Sequence, residues 1–153
     1  MTTKLKRSFP RTCVKCRQVR VMPATIDREM TLKYDGAHYQ LFVRSISVNK
    51  CEHCNECTFG DDSDSAINAA LRAHLGLLAP SDIRSHRKAL GLTQESLAAA
   101  LGCANETISR WESDWIVQSA AYDRLLRAYF ALPELRAFLA ALGGKGSQDL
   151  LSG

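Results

Sequence analysis

No stretch of this 153-residue chain stays apolar long enough to cross a bilayer, although 46% of its residues are hydrophobic and 24% charged. Nor does an apolar core follow the basic start MTTKLKRSFPR, so a secretory signal is not expected and the cytoplasm is the expected compartment. A strong net charge is missing too. The formal charge is only +4, which does not by itself announce a nucleic-acid partner. The four histidines do not cluster with a nucleophile, an acid or an open metal site, so no enzyme is expected. What remains conspicuous is six cysteines, which in a reducing compartment point to metal or free thiols before disulfides.

The charge is unevenly spread. Residues 1–57 carry 11 Lys and Arg against 5 Asp and Glu, a surplus of +6, whereas residues 79–130 carry 6 of each. Residues 1–11 read as a disordered basic arm, which could also reach into a minor groove. Within 12–60 lie Cys13-Val-Lys-Cys16 and, after a gap of 34 residues, Cys51-Glu-His-Cys54. Each knuckle turns back on itself so that two thiolates converge, and four close a tetrahedral zinc sphere. One structural Zn2+ per chain is therefore expected on Cys13, Cys16, Cys51 and Cys54, with no position open for catalysis. Cys57 leaves an alternative open, because Cys54 and Cys57 could form the second knuckle in place of Cys51. His53 reads as a surface residue, and a redox CxxC would need a βαβ setting that is absent. Inside the gap, Asp35-Gly36 signals a hairpin turn. After it, Tyr39, Leu41 and Val43 alternate with Gln40, Phe42 and Arg44, and residues 26–34 read as the partner strand. So small a sheet should depend on the metal to fold.

Gly60-Asp-Asp-Ser-Asp-Ser is an acidic, turn-rich boundary able to cap a helix. A connector over 61–79 follows, with Ile67, Leu71, Leu75 and Leu78 as its apolar stripe. In the region 80–143, Pro80-Ser81-Asp82 opens a helix that Gly91 closes, with Ile83 and Leu90 inward. The rest of the region is organised around TQESLAAALGCANETISRWE, residues 93–112. Leu97 and Leu101 share one helix face, Ala98 allows a second helix to approach, Gly102 suits a left-handed turn and Cys103 plugs it. Ile108 and Trp111 form the inward stripe of that second helix, with Asn105, Glu106, Ser109 and Arg110 opposite. This is a helix-turn-helix pattern. Thr93, Gln94, Asn105, Glu106, Thr107, Ser109 and Arg110 are its candidate DNA contacts: Thr93 and Gln94 toward phosphate, Arg110 toward guanine. Residues 113–119 read as a loop. A helix from Ala120 places Tyr122, Leu125, Leu126 and Tyr129 inward, and a last one from Pro133 carries Leu135, Phe138, Leu139 and Leu142. Residues 144–153 read as a flexible tail.

Over residues 80–132 this arrangement resembles the lambda-repressor-like, or Xre, fold. That resemblance implies a structural ion pair between Arg87 and Glu112. The order of parts over 13–142 resembles the MqsA-type antitoxins, also described as YgiT-type zinc-finger regulators. The fold class expected is thus α+β: a small N-terminal four-cysteine zinc-binding β domain followed by an all-α lambda-repressor-like helix-turn-helix domain. The resemblance implies a homodimer on a palindromic operator of double-stranded DNA, with the zinc domain contacting an RNase toxin. It also implies that Arg110, in Ser109-Arg110-Trp111-Glu112, reads a base. The family's Asn three places before that Ser is Glu106 here, with Asn105 one place earlier, which alters the expected operator because a carboxylate accepts from cytosine. The function expected is a sequence-specific transcriptional repressor, the antitoxin of a type II pair that autoregulates its operon. The alternative is a stand-alone Xre-type repressor whose zinc domain serves protein interaction or dimerisation.

Overall fold

A computed structural model describes residues 8–60 and 62–144; most of the expected basic arm and nearly all of the expected tail lie outside them. The chain divides into two units. One comprises Met1–Leu32 and Tyr39–Ala70, the other Lys33–His38 and Leu71–Gly153. No helix among the described residues is long and apolar enough to cross a membrane.

The first unit is built on a four-stranded sheet in the order β1-β2-β3-β4. Its strands are β1 (Arg11–Thr12), β2 (Val19–Tyr34), β3 (Ala37–Cys51) and β4 (Cys57–Phe59). The outer pairs are antiparallel, with Arg11 opposite Val21 and Val48 opposite Phe59. Strands β2 and β3 meet at Asp35 and Gly36, whose φ values of 46° and 81° make the turn whose twist suits a two-residue hairpin. The alternation expected for 39–44 is present: Leu41 and Val43 are buried while Gln40, Phe42 and Arg44 are exposed. Both strands run further than expected, β2 beginning at Val19 and β3 reaching Cys51.

Burial then shifts parity along β3, from Leu41 and Val43 to Ile46 and Val48. The shift falls at Ser45, which has a φ of 55°. An extra residue in a left-handed conformation re-aims the strand so that the following side chains return to the same face. Asp27 holds that conformation, its Oδ1 accepting the Ser45 N–H at 2.8 Å. Leu41, Val43, Ile46 and Val48, with Cys13 and Cys51, are the buried apolar residues of this sheet.

The second unit is helical. Helix α1 (Ser63–Leu75) crosses the division between units; α2 (Pro80–Ala89), α3 (Gln94–Leu101), α4 (Asn105–Glu112), α5 (Ala120–Ala131) and α6 (Pro133–Gly144) follow. Pro80 opens α2 at its first turn, where its missing N–H costs nothing, and Asp82 accepts the Ala79 N–H at 3.1 Å. At the start of α3, Thr93 Oγ1 accepts the Ser96 N–H at 3.0 Å and Ser96 Oγ accepts the Thr93 N–H at 2.9 Å. Gly102 ends α3 at φ 72°, ψ 32°, a left-handed conformation that a Cβ would strain. The core is Ile83, Leu97, Ala98, Leu101, Ile108, Trp111, Leu126 and Tyr129, flanked by half-buried Leu90, Cys103, Tyr122, Leu125 and Leu139. The stripes expected from helical spacing on α2, α3, α4 and α5 therefore converge. On α6, Leu139 packs against this core whereas Phe138 is 61% exposed.

Candidate functional site

Among the described residues, two places gather side chains able to do chemistry. The first lies in the sheet unit, where the sulfurs of Cys13, Cys16, Cys51 and Cys54 all lie within 4.8 Å of one another. Two backbone turns of the same design bring them there. In one, the Cys13 N–H donates to the Gln18 carbonyl at 2.8 Å, and Arg17, at φ 62°, donates to the Cys13 carbonyl at 3.1 Å. In the other, the Cys51 N–H donates to the Glu56 carbonyl at 2.9 Å, and Asn55, at φ 60°, donates to the Cys51 carbonyl at 2.9 Å. The match fixes Cys51-x-x-Cys54 as the second turn. Cys57 lies outside the sulfur group, exposed, its Sγ 3.5 Å from the Asn55 carbonyl.

Across the two turns, Cys13 and Cys54 are 3.6 Å apart, as are Cys16 and Cys51. Four thiolates at about 2.3 Å from a tetrahedral zinc ion would stand about 3.8 Å apart, so the cluster fits such an ion. The thiols also compete for protons. The Cys16 amide lowers Cys13 to about 6, helped by the Lys15 amide and the neighbouring sulfurs and opposed by burial. The Glu56 amide acts the same way on Cys54, yet burial and the other three sulfurs outweigh it and push Cys54 up to about 12. Four anionic sulfurs at this separation repel one another unless a cation sits among them.

The second place is the α3–turn–α4 pair. Glu112 closes α4 and is buried. Arg87 grips its carboxylate with two donors, Nε to Oε1 at 2.6 Å and Nη2 to Oε2 at 2.9 Å. Gln94 Nε2 donates to Oε2 at 2.9 Å, and Arg84 Nη2 donates to the Glu112 carbonyl at 2.9 Å. Burial alone would raise the Glu112 carboxyl; these partners hold it below its ordinary 4.5. The pair that the family resemblance implied is thus present, and Gln94 belongs to it through one side-chain nitrogen. Gln94, Asn105, Glu106, Ser109 and Arg110 share one open groove of about 480 Å³, which Ser113 and Trp115 complete. Thr93 is occupied as the cap of α3, and Thr107 is half-buried.

Sequence reasoning missed a buried polar hub in the loop after α4. Arg72 of α1 is 4% exposed; it pairs with Asp114 and donates to the Ile116 carbonyl at 2.9 Å and to Gln118 Oε1 at 3.4 Å. Gln118, fully buried, donates from Nε2 to the Leu78 carbonyl at 2.8 Å and to Asp123 Oδ1 at 3.1 Å. The hairpin residues grouped with this unit reach the same loop. Tyr34 Oη donates to the Gln118 carbonyl at 2.8 Å, and Asp35 Oδ2 accepts the Ala120 N–H at 2.7 Å. A lone arginine beside Leu71 was the one local hint, since its partners lie more than forty residues away.

The chain therefore combines a four-thiol sheet unit with a helix-turn-helix unit. The sequence model described as the antitoxin component of the bacterial toxin-antitoxin system, MqsA, matches residues 11–138. The chain belongs to the MqsA antitoxin family, whose members are antitoxins and not enzymes. No curated protein matches it.

Proposed function

We propose that this protein is a DNA-binding repressor and the antitoxin of a type II pair, shutting down its own operon from a palindromic operator. Family membership supports the antitoxin role and implies a toxin partner. The observation that carries the DNA-binding part is the groove on α4, where Asn105, Glu106, Ser109 and Arg110 stand together on the face opposite buried Ile108 and Trp111. A recognition helix needs this division: one face locked in a core, the other free to meet base edges. Arg110 is the base reader, suited to a bidentate contact with guanine. Asn105, Glu106, Thr107 and Ser109 line the approach, and Thr93 and Gln94 lie at the start of α3, toward phosphate.

In the sheet unit, Cys13, Cys16, Cys51 and Cys54 would hold one Zn2+, a structural ion whose closed sphere admits no substrate. The protein works in the cytoplasm as a homodimer, placing two α4 helices about one DNA turn apart. Co-expression with its neighbouring genes, followed by purification and a gel-shift assay on the upstream DNA, tests the whole reading. The expected outcome is a stoichiometric small partner and a retarded duplex. A clean homodimer that binds DNA without a partner would instead identify a stand-alone repressor. No shift of the upstream duplex would remove the repressor role.

A further inference from the structure

We infer that Trp115 is an additional DNA contact of this chain, its indole lying on the sugar–phosphate backbone beside the groove of α4; this rests on the DNA-binding reading above. The chain has two tryptophans. Trp111 is 2% exposed and part of the core, whereas Trp115 is 75% exposed. A large aromatic left so open in a packed helical unit costs solvation with no folding return, and such residues concentrate at binding surfaces.

The backbone that carries the indole is also held in place. The Trp115 backbone N–H donates to the Arg110 carbonyl at 2.9 Å, tying the loop to the residue proposed to read the base. On one side Asp114, at φ 62°, pairs with Arg72; on the other the Ile116 carbonyl accepts from the same guanidinium at 2.9 Å. One buried arginine thus pins both neighbours of Trp115. The side chain shares the groove lined by Asn105, Ser109 and Arg110.

Its place along the reader decides what it meets. Helix α4 has 8 residues, about 12 Å of rise, and base edges are read from the N-terminal part of such a helix. Trp115 comes three residues after Glu112, the last of α4, and so reaches the groove wall of deoxyriboses and phosphates. The indole suits that wall, with an apolar face for the sugar and one N–H for a phosphate oxygen. Because it is uncharged, it displaces no counterion.

The test uses the full-length chain with two probes, a duplex from directly upstream of its gene and a mixed-sequence duplex at low salt. Tryptophan emission of the wild type should change with either duplex, and acrylamide quenching should fall. Trp115→Phe, which retains only buried Trp111, should show neither change. Trp115→Ala should weaken both duplexes by a common factor of roughly three to ten, the scale of one net hydrogen bond, with an unchanged salt slope and melting temperature. The inference is overturned if DNA binds while Trp115 stays fully open to acrylamide. It is overturned too if Trp115→Ala changes the preference between duplexes and not the affinity for both. If the wild type binds neither duplex, the DNA-binding reading falls and the contact with it.

Discussion

Glu112 and Arg110, two residues apart on α4, divide the work of that helix. Glu112 points into the unit and receives Arg87 and Gln94, whereas Arg110 is exposed in the groove. Removing one side of a buried ion pair strands the other charge, at a cost of about 3–5 kcal/mol. Glu112→Ala should therefore lower the melting temperature steeply and affect DNA binding only through folding. Arg110→Ala should leave the melting temperature nearly unchanged while losing operator preference, about 1–3 kcal/mol of discrimination. Calorimetry paired with gel shifts separates the two, and a reversed pattern would mean that α4 is turned the other way. Acid supplies a second check. Burial would raise both Glu112 and Asp123, but their partners hold them below their ordinary 4.5 and 3.8. A carboxylate with a depressed folded value contributes stability above its unfolded value and loses it as the pH falls through the folded one. Stability of the helical unit should thus decline on acidification below about pH 4.5. Glu112→Gln should flatten that decline, and a denaturation series across pH measures it.

At the scale of elements, the two cysteine turns have the same backbone design, and the long hairpin between them ends on Cys51. Its buried apolar residues are few, so the sheet should depend on a metal clasp. Chelation at neutral pH should abolish near-native strand signal in circular dichroism while the helical signal persists. Loss of both together, or of neither, would contradict an independent metal-dependent sheet. Elemental analysis addresses the ligands: Cys57→Ser should retain one zinc per chain, and Cys51→Ser should lose it. Helix α3 is legible in its own residues, because Thr93, Ser96 and Gly102 cap it locally. The parity shift at Ser45 is not. Nothing within the strand signals that Asp27, 18 residues earlier, will hold the extra residue.

For the whole molecule, α6 presents a surface larger than its own packing uses. Leu139 rests against the core, yet Phe138 is 61% exposed and Leu132, just before α6, is 50% exposed. Under the proposed repressor role, which would place two readers on one operator, this apolar edge is the expected place of self-association. Phe138→Ser should raise the dimer dissociation constant without lowering the melting temperature. Sedimentation of the variant as a tight dimer would locate the interface elsewhere.

What the sequence determined by itself was whatever depends on close neighbours: cysteine spacing, the Asp35-Gly36 turn, helix caps, apolar stripes and the polar face of α4. Those signals have fixed periods of a few residues, so they survive without a fold. The Arg87–Glu112 pair was reachable as well, through family resemblance and not through spacing. Tertiary structure decided the remainder, because it turned on distance in space and not along the chain. Cys13, already within reach of Cys16, had to find Cys54 at 3.6 Å and exclude Cys57. Arg72 became the buried anchor of a loop only once Asp114 and Gln118, more than forty residues on, closed around it. A buried guanidinium is tolerated only where its donors meet acceptors, and those acceptors are assembled by folding alone.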